Sequence, residues 1–342
     1  MNERIGVLGG GSWGTALSIL LANKGYDLDI WVRDIKQAET MDSTRVNSRY
    51  LPNVTLPCGI NVSSDLERTI CNKDYILMSV PTHGVRETLE NAKKYIDKNQ
   101  VIINVAKGIE NDSLLRISEI VKEILPYNPY AVLSGPSHAE EVAIGLPTTV
   151  VSASTSKNVA EMVQDLFITS KFRVYTNPDI IGVELGGSLK NIIALGAGIS
   201  DGLEYGDNAK AALMTRGNIE MARLGLKLGA NSNTFNGLTG IGDLIVTCTS
   251  IHSRNRRCGI LLGKGLSLEE SIKEVGMVVE GVRTTKSAYK LAEKHGVEMP
   301  ITEEIYNVLY NGSNVSDSVS RLMERDKKHE MEDVARNNNY YW

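Results

Sequence analysis

Three glycines close to the N-terminus have a spacing that suits a phosphorylated ligand. Gly9, Gly11 and Gly14 form the pattern G-x-G-x-x-G, which follows an apolar run at residues 4–8 and precedes a helical pattern at 15–24. In a strand–turn–helix unit such glycines permit a tight turn, approach of bare backbone to a pyrophosphate, and close packing of helix on strand. The phosphate oxygens then lie at the helix N-terminus, where backbone N–H groups and the helix dipole favour an anion. The segment therefore predicts a dinucleotide site.

The end of the next predicted strand, at residues 27–32, carries two side chains that favour different cofactors. Asp34 lies at the spacing expected for a carboxylate that binds the ribose 2′-hydroxyl of NAD. Arg33 is the better partner for the 2′-phosphate of NADP, because its planar guanidinium can bind phosphate oxygens in pairs. The sequence leaves both cofactors open, with NADP favoured and NAD tolerated.

A second group of candidate residues lies in the C-terminal half. Residues 183–198 have the pattern of one long helix, in which Lys190 and Asn191 lie on a narrow face of small residues. Helix packing explains the glycines of this face, but it does not explain a lysine and an asparagine that would otherwise be buried without partners. A glycine-rich turn delivers the carboxylate of Asp243, and a basic cluster at residues 248–257 has a composition that suits a phosphate. A lysine, a carboxylate and a phosphate-binding cluster together suit proton transfer on a phosphorylated substrate.

These residues need elements that bring them together. Apolar runs at 74–80, 100–106, 130–134 and 147–152 predict further strands of a parallel sheet that is buried on both faces. Ligands of such sheets bind at the carboxyl ends of the strands, so residues 80–83, Lys107 and 135–137 are expected to face one crevice. His83 and His138 fall near this crevice as possible proton carriers, although ordinary polar contacts explain them as well. From about residue 178 the strands give way to helices.

Composition limits the domain organisation and the classes of partner. The chain has 342 residues, which suits two domains. We expect a dinucleotide-binding domain at 1–180, an all-helical substrate and dimerisation domain at 181–325, and a polar tail at 326–342. Within the C-terminal region, residues 321–336 are dense in charge and predict a solvated helix, while the aromatic end at 340–342 has no interpretation.

A net charge of -4 disfavours a nucleic acid or a membrane surface as the partner, because clustered positive charge supplies most of the affinity for both. Any anionic ligand must then be bound by a local patch. The four cysteines form neither a C-x-x-C pair nor a zinc-finger spacing, so no metal site is predicted. With no signal peptide or membrane span in the pattern, we expect a cytoplasmic protein.

Taken together, the motifs resemble the bacterial NAD(P)-dependent glycerol-3-phosphate dehydrogenases. The segments that carry the resemblance are 9–14, 104–108, 133–140, 187–194, 240–243, 253–255 and 279–283. The glycine fingerprint is common to many enzymes, whereas the Leu-Lys-Asn and Ser-Arg-Asn segments are specific to this family. The resemblance covers residues 4 to about 325. It implies a Rossmann-type α/β domain followed by an all-α domain, as in 6-phosphogluconate dehydrogenase-like folds, and a homodimer.

The same resemblance implies roles for individual residues. Lys190 is implied as the catalytic proton donor and acceptor. The implied substrate contacts are Lys107, Gly135, Ser137, Lys190, Asn191, Asp243, Ser253, Arg254 and Asn255. The implied cofactor contacts, for NADP or NAD, are Gly9, Gly11, Ser12, Trp13, Gly14, Arg33, Lys107, Ala139, Arg254, Val278 and Glu280.

The expected reaction is the reversible reduction of dihydroxyacetone phosphate to sn-glycerol 3-phosphate, which supplies glycerophospholipid synthesis. A ketone that receives a hydride also needs a proton at its oxygen, and a buried lysine can donate one as charge develops. Two alternatives remain open. One is a related β-hydroxyacid or opine-type dehydrogenase that acts on a carboxylate, and the other is a catalytically silent NAD(P)-binding regulator.

Overall fold

A computed structural model describes residues 3–327 and residue 330. The first half of the chain forms a single eight-stranded sheet together with a small two-stranded one. The strands are β1 (Ile5–Leu8), β2 (Leu28–Trp31), β3 (Val46–Asn47), β4 (Leu51–Thr55), β5 (Ile60–Ser63), β6 (Tyr75–Met78), β7 (Val101–Asn104), β8 (Tyr130–Ser134), β9 (Thr148–Ala153) and β10 (Phe172–Asn177).

The large sheet has the strand order β10-β9-β8-β7-β6-β1-β2-β5. Strands β5, β2, β1, β6, β7 and β8 are parallel, as predicted. The prediction that residues 147–152 continue this parallel sheet is wrong, because β9 runs antiparallel to β8 and β10 is parallel to β9. A run of buried apolar residues looks the same in either direction, so the sequence pattern holds no information on this point.

The helices surround this sheet and then form the whole second half. They are α1 (Ser12–Asn23), α2 (Ile35–Thr44), α3 (Leu66–Ile70), α4 (Val85–Ala92), α5 (Ile117–Ile124), α6 (Ala139–Ala143), α7 (Lys157–Phe167), α8 (Ile180–Gly202), α9 (Gly206–Lys227), α10 (Ser232–Phe235), α11 (Asp243–Thr249), α12 (Arg254–Gly263), α13 (Leu268–Val275), α14 (Glu280–His295), α15 (Pro300–Tyr310) and α16 (Val315–Met323). The predicted fold class, a Rossmann-type α/β unit followed by an all-α unit, is confirmed.

Helix α8 is the centre of the second half, and residues 182–200 are all buried. Among the described residues it is the one helix that is long and apolar enough to cross a membrane, and most of that apolar window is buried inside the protein. Its C-terminal half crosses α12 at very short range. A Cβ on Gly198 would lie 2.1 Å from the carbonyl oxygen of Arg256, and one on Gly259 would lie 2.1 Å from that of Leu195. The glycines at this crossing therefore serve helix–helix packing and not ligand binding.

A buried carboxylate fixes the start of α8 against the sheet. Glu184 accepts hydrogen bonds from the Arg116 guanidinium at 2.9 Å, from the Ser118 backbone N–H at 2.8 Å and from the Tyr130 hydroxyl at 2.7 Å. A carboxylate with this many donors costs little to bury, and removing a donor would leave it poorly compensated. The network sets the position of α8, and hence of Lys190, relative to β8.

The last strand ends at Asn177 and α8 begins at Ile180. The domain ranges 1–180 and 181–325 and the tail 326–342 remain predictions. The predicted helix at 321–336 is confirmed at residues 321–323 and wrong at residues 324–327, because α16 ends at Met323 and the following described residues are not helical. Residues 328–329 and 331–342, including the aromatic end, lie outside the described residues.

Candidate active site

One buried carboxylate holds two lysines. Asp243 is 1% exposed, and its Oδ2 accepts a hydrogen bond from Lys107 Nζ at 2.7 Å. Its Oδ1 accepts one from Lys190 Nζ, which is also buried. Lys107 comes from the loop after β7 and Lys190 from the middle of α8, so the carboxylate joins the two halves of the chain. The sequence placed all three residues in one site, and the structure brings them together.

Thr247 is a fourth member of this cluster that sequence reasoning missed. Its hydroxyl accepts a hydrogen bond from Lys190 Nζ at 2.6 Å and donates to the Asp243 carbonyl at 2.6 Å. Thr247 follows Asp243 by one helical turn on α11, so both side chains lie on the same face. This i, i+4 spacing after a glycine-rich turn was the signal available in the sequence.

The turn before α11 reaches this position because two glycines permit unusually close backbone contact. Residues Leu238–Gly242 form one π-helical turn. A Cβ on Gly240 would lie 2.0 Å from the Phe235 carbonyl oxygen, and one on Gly186 of α8 would lie 2.3 Å from the Thr239 carbonyl oxygen. Larger residues at either position would push Asp243 away from Lys190.

The loop after β8 closes the other side of the cluster. The Gly135 carbonyl accepts hydrogen bonds from Lys107 Nζ at 3.0 Å and from the Ser137 hydroxyl at 2.9 Å. Gly135 has φ +134°, a conformation that favours glycine. Lys107 itself passes beside Gly187, where a Cβ would lie 3.5 Å from Lys107 Cγ and 2.7 Å from the Ser134 hydroxyl.

The surroundings of the site lower the pKa of Lys190 on α8 and that of Asp243 on α11. The pKa of Lys190 is lowered to about 8, because burial and, to a smaller extent, the Lys107 ammonium outweigh the raising effect of the Asp243 carboxylate. Burial by itself would raise the pKa of Asp243, but the two ammonium groups outweigh burial and hold it below its ordinary value. At neutral pH the carboxylate is therefore ionised, and the lysine is close to the pH at which it can both give and take a proton.

Two asparagines connect the cluster to the basic helix. The Asn255 amide donates to the Asn191 side-chain oxygen at 2.9 Å, and its own oxygen accepts from the Gly281 N–H at 2.9 Å. Both asparagines are buried. Ser253 caps the N-terminus of α12 through its hydroxyl, and the Arg254 guanidinium donates to the Val278 carbonyl at 3.2 Å. Burial lowers the pKa of Arg254, partly offset by the nearby carboxylates of Glu280 and Glu140.

The glycine-rich turn lies where a dinucleotide pyrophosphate would bind. A Cβ on Gly14 would lie 2.1 Å from the Gly9 carbonyl oxygen, whereas the space beside Gly11 is open. Helix α1 begins at Ser12, and no side chain caps its N-terminal N–H groups. The turn thus combines tight packing at Gly14 with free approach at Gly11, which fits the predicted role of the motif.

Three buried polar atoms around this crevice lack a protein partner. They are Trp13 Nε1, Thr82 Oγ1 and Glu280 Oε2, while the second carboxylate oxygen of Glu280 accepts from the Thr82 N–H at 3.3 Å. Burial raises the pKa of Glu280. Buried polar groups are almost always hydrogen-bonded, so three unpaired ones in one region fit a site that a polar ligand completes. Ala139, the first residue of α6, is buried, and Val278 is 36% exposed.

The two residues that could select the cofactor are both exposed. Asp34 accepts a hydrogen bond from the Gln37 N–H at 3.1 Å and so caps α2. Arg33 lies close enough to His83 and Arg283 for their charges to interact. The pKa of His83 is lowered by burial first, and then by the guanidinium groups of Arg283 and Arg33. Two guanidiniums therefore lie near one imidazole at this end of the crevice.

His138 lies beside the cluster without joining it. Its ring centroid is 5.8 Å from that of His252, and burial, followed by the charge of Lys190, lowers its pKa. Among the described residues, no group of three or more His, Cys, Asp or Glu side chains could hold a metal ion.

Comparison with known proteins decides the family. Residues 4–160 match the model of the NAD-dependent glycerol-3-phosphate dehydrogenase N-terminus, and residues 179–320 match that of the C-terminus. A glycerol-3-phosphate dehydrogenase [NAD(P)+] from Thermoanaerobacter sp. is 56% identical over 97% of this chain and 100% of the relative. The chain belongs to the NAD-dependent glycerol-3-phosphate dehydrogenase family.

Solved structures agree with this assignment. The crystal structure of glycerol-3-phosphate dehydrogenase from Coxiella burnetii is 41% identical, covers 95% of this chain and 99% of that one, and has a TM-score of 0.92. A ketopantoate reductase from Ralstonia eutropha, 14% identical over 93% of this chain and 99% of that one with a TM-score of 0.61, shares the fold alone.

Membership of the glycerol-3-phosphate dehydrogenase family confirms the predicted resemblance, the oxidoreductase class and the use of an NAD(P) cofactor. The residue roles that the sequence implied remain predictions. The structure brings them into three groups: the Asp243 cluster, the asparagine pair with the start of α12, and the crevice at the start of α1.

Proposed function

We propose that this protein catalyses the reversible NAD(P)H-dependent reduction of dihydroxyacetone phosphate to sn-glycerol 3-phosphate, with Lys190 as the general acid and base. The observation that carries the proposal is the hydrogen bonding of Lys190. An ammonium group has three N–H donors, and two are directed to Asp243 and Thr247. The third is available to a substrate oxygen, and its direction is set by the other two.

Proton transfer at Lys190 follows from its lowered pKa. When bound, NAD(P)H supplies the hydride for the ketone carbon. In the reducing direction the Lys190 ammonium donates a proton to the developing alkoxide, and in the oxidising direction the neutral amine takes it back. With a pKa of about 8, the ammonium is the major form at pH 7 by roughly ten to one, and the neutral amine reaches equal population at about pH 8. Asp243 holds the lysine in place and limits how far its pKa falls.

Two cationic groups would hold the substrate. Lys107 lies on the opposite oxygen of Asp243 and would place a second positive charge beside the reacting oxygen. Ser253, Arg254 and Asn255 lie at the N-terminus of α12, where backbone N–H groups, the helix dipole and a guanidinium favour the substrate phosphate. With Ser137, Gly135 and Asn191 they would fix the ketone against the cofactor, and such positioning supplies much of an enzyme's rate enhancement.

The cofactor would occupy the crevice at the start of α1. Its pyrophosphate would lie on the backbone of Gly9, Gly11, Ser12, Trp13 and Gly14. The free Trp13 N–H would donate to an acceptor of the cofactor, and the free Glu280 oxygen would accept from a hydroxyl or amide donor of the cofactor. Lys107, Ala139, Arg254 and Val278 would complete the contacts toward the substrate. Arg33 would meet the 2′-phosphate of NADP.

The proposal is tested by a matrix of initial rates. NADPH and NADH are each combined with dihydroxyacetone phosphate and with 2-oxo carboxylates, and cofactor oxidation is followed by absorbance. Turnover of the phosphorylated ketone that is lost in Arg254→Ala supports the proposal. Turnover of a carboxylate that is indifferent to Arg254→Ala supports the hydroxyacid alternative instead, and cofactor binding without turnover supports the regulator.

We further propose that the enzyme is cytoplasmic, acts as a homodimer without stable membrane association, and supplies glycerophospholipid synthesis. The family resemblance and the mildly acidic net charge of -4 support this assignment. Light scattering on the purified chain tests the dimer.

A further inference from the structure

Arg283 is a charged residue to which neither the fold nor the proposed reaction gives a role. It lies near the start of α14 and is exposed. Within the part of the chain that the structure describes, no hydrogen bond or salt bridge occupies its guanidinium. An exposed arginine without a partner is ordinary by itself, so a role for Arg283 depends on what surrounds it.

The start of α14 is held against the loop that follows β6. Glu280, the first residue of α14, accepts a hydrogen bond at Oε1 from the Thr82 N–H at 3.3 Å. Arg283 follows Glu280 by about one helical turn, so both side chains lie on the same side of α14. His83 follows Thr82 directly and is also exposed. Arg283 of the helical half and His83 of the sheet half therefore meet where this helix contacts this loop.

Arg33 lies at the same edge of the sheet. Strands β2 and β6 flank β1, and both run parallel to it. Arg33 comes shortly after β2 and His83 shortly after β6, so the carboxyl ends of the strands bring the two residues to one edge. The adenosine half of a dinucleotide binds at this edge, beyond the glycine-rich turn that follows β1.

The pKa of His83 reports that both guanidiniums act on the same place. Burial lowers this pKa most, and the charges of Arg283 and then Arg33 lower it further. The carboxylate of Glu87 raises it, with a smaller effect than either guanidinium. Positive charge therefore outweighs negative charge at the imidazole, although a carboxylate also lies within range.

Two further carboxylates of this region are bound to other groups. Asp34 accepts a hydrogen bond at 3.1 Å from a backbone N–H at the start of α2. Glu280 is bound to the loop after β6, and its charge is shared between Arg254 and Arg283. Neither carboxylate forms a salt bridge with Arg33 or Arg283 among the described residues. Both guanidiniums can thus donate to an added anion, and a guanidinium binds phosphate oxygens in pairs.

We propose that Arg283 joins Arg33 in binding the 2′-phosphate of NADP, so that the helical half and the sheet half together select this cofactor. The inference rests on the proposed function, which places the 2′-phosphate beside Arg33. NAD has a hydroxyl group at this position. A hydroxyl carries no charge for two guanidiniums to neutralise, so the pair favours the phosphorylated cofactor.

The proposal is tested by binding, without any turnover. Adenosine 2′,5′-bisphosphate and adenosine 5′-monophosphate differ only in the 2′-phosphate, and calorimetry on the full chain gives the affinity for each. We expect the wild type to bind the bisphosphate at least 10-fold more tightly. Arg283→Gln should reduce that preference by about 10-fold with the affinity for the monophosphate nearly unchanged. Combining Arg283→Gln with Arg33→Ala should abolish the preference.

Two variants separate this role from a general effect of charge or folding. Lys290→Gln removes the same charge from an exposed position of α14 about 10 Å farther along the helix, where salt screens its effect. It should leave the preference nearly unchanged. Arg283→Lys keeps the charge but loses the planar fork, so it should retain part of the preference. A preference that survives Arg283→Gln intact would overturn the proposal. Equal losses in Arg283→Gln and Lys290→Gln, or equal weakening of both ligands by Arg283→Gln, would also overturn it.

Steady-state rates supply the second measurement. Arg283→Gln should lower kcat/KM for NADPH by about 10-fold and leave that for NADH nearly unchanged. A wild-type protein that binds the two adenosine phosphates equally would overturn the 2′-phosphate site, whichever ketone the protein reduces. A wild-type protein that prefers the bisphosphate through Arg283, but does not reduce dihydroxyacetone phosphate, would overturn the proposed reaction and support the 2′-phosphate site.

Discussion

The ammonium groups of Lys107 and Lys190 bind the two oxygens of one buried carboxylate, that of Asp243. A single carboxylate balances only one of the two positive charges, so the cluster carries an excess positive charge when both lysines are protonated. That excess favours an anionic substrate and an oxygen that becomes negative during reaction. A mildly acidic protein thereby obtains a strongly local anion site, without any net positive charge over its surface.

Neutralising Asp243 should shift the pH dependence of catalysis. The carboxylate raises the pKa of Lys190 against burial, so Asp243→Asn should lower that pKa. We expect glycerol 3-phosphate oxidation to reach its half-maximal rate at a lower pH than in the wild type, with kcat reduced by about 10²–10³-fold. The matched control is Asp201→Asn, since Asp201 also binds a basic side chain, Arg256 at 2.7 Å, in the helical half. A pH profile that moves equally in both variants would exclude a specific role for Asp243.

Removing the Thr247 hydroxyl should affect turnover more than binding. Thr247→Val preserves the shape of the side chain but leaves one Lys190 N–H without its acceptor. Hydrogen bonds to charged groups contribute about 1.5–3 kcal/mol, which predicts a loss of roughly 10- to 100-fold in kcat with little change in KM. Thr247→Ser should recover most of the activity. Failure of the serine variant to recover it would indicate a packing role for the methyl group.

Arg33 should determine how well NADP is used. Arg33→Ala removes a guanidinium from the exposed end of the cofactor crevice, near His83 and Arg283. We expect kcat/KM for NADPH to fall by about 10- to 100-fold, with that for NADH nearly unchanged. Lys36→Ala, another exposed basic residue nearby in sequence, is the control. Equal losses with both cofactors would assign Arg33 to the fold and not to the 2′-phosphate.

Glu220 should make stability depend on pH. It is 3% exposed and accepts hydrogen bonds from the Ile301 and Thr302 N–H groups at the start of α15. Burial, only partly offset by those bonds, raises its pKa to about 7 from 4.5. The folded state therefore holds the proton more tightly, and the contribution of Glu220 falls as pH rises from 4.5 to 7, by roughly 3 kcal/mol at most. Glu220→Gln should remove this slope in denaturant unfolding measured across that range. A slope identical to that of the wild type would show that Glu220 does not titrate in this way.

The parts of the fold that the sequence predicted are those with a glycine motif or a continuous apolar run. The glycine motif and the apolar runs predicted β1, β2, β6, β7 and β8 and the change to helices near residue 178. The direction of β9 was not predictable, because a run of buried apolar residues has the same pattern in a parallel and in an antiparallel strand. Strands β3, β4, β5 and β10 were missed: β3 is only two residues long, and most of β4 is solvent-exposed. Strands β3 and β4 therefore carry neither a continuous apolar run nor a clear alternation. Strands β5 and β10 begin with a buried and exposed alternation, but it extends over only three or four residues.

The sequence predicted which residues belong to the candidate site, but it did not predict the hydrogen bonds that join them. The sequence singled out Lys190 and Asn191 because buried polar residues in a helix need partners. It could not show that Lys190 is bound by Thr247, or that Asn191 is paired with Asn255, since such contacts depend on how α8, α11 and α12 cross. The sequence attributed the glycines of α8 to helix packing without naming the partner helix, and the structure shows that Gly198 packs at the crossing with α12.

The most direct test of the proposed mechanism is the pH dependence of dihydroxyacetone phosphate reduction in the wild type and in Lys190→Ala, with NADPH binding measured separately. We expect a wild-type rate that falls as pH rises through about 8, the pKa of Lys190. In Lys190→Ala the rate should be about 10²–10⁴-fold lower and should no longer follow that pH dependence, while NADPH still binds. A variant that keeps near-normal turnover, or that loses turnover but keeps the same pH profile, would contradict the assignment of Lys190 as the proton donor.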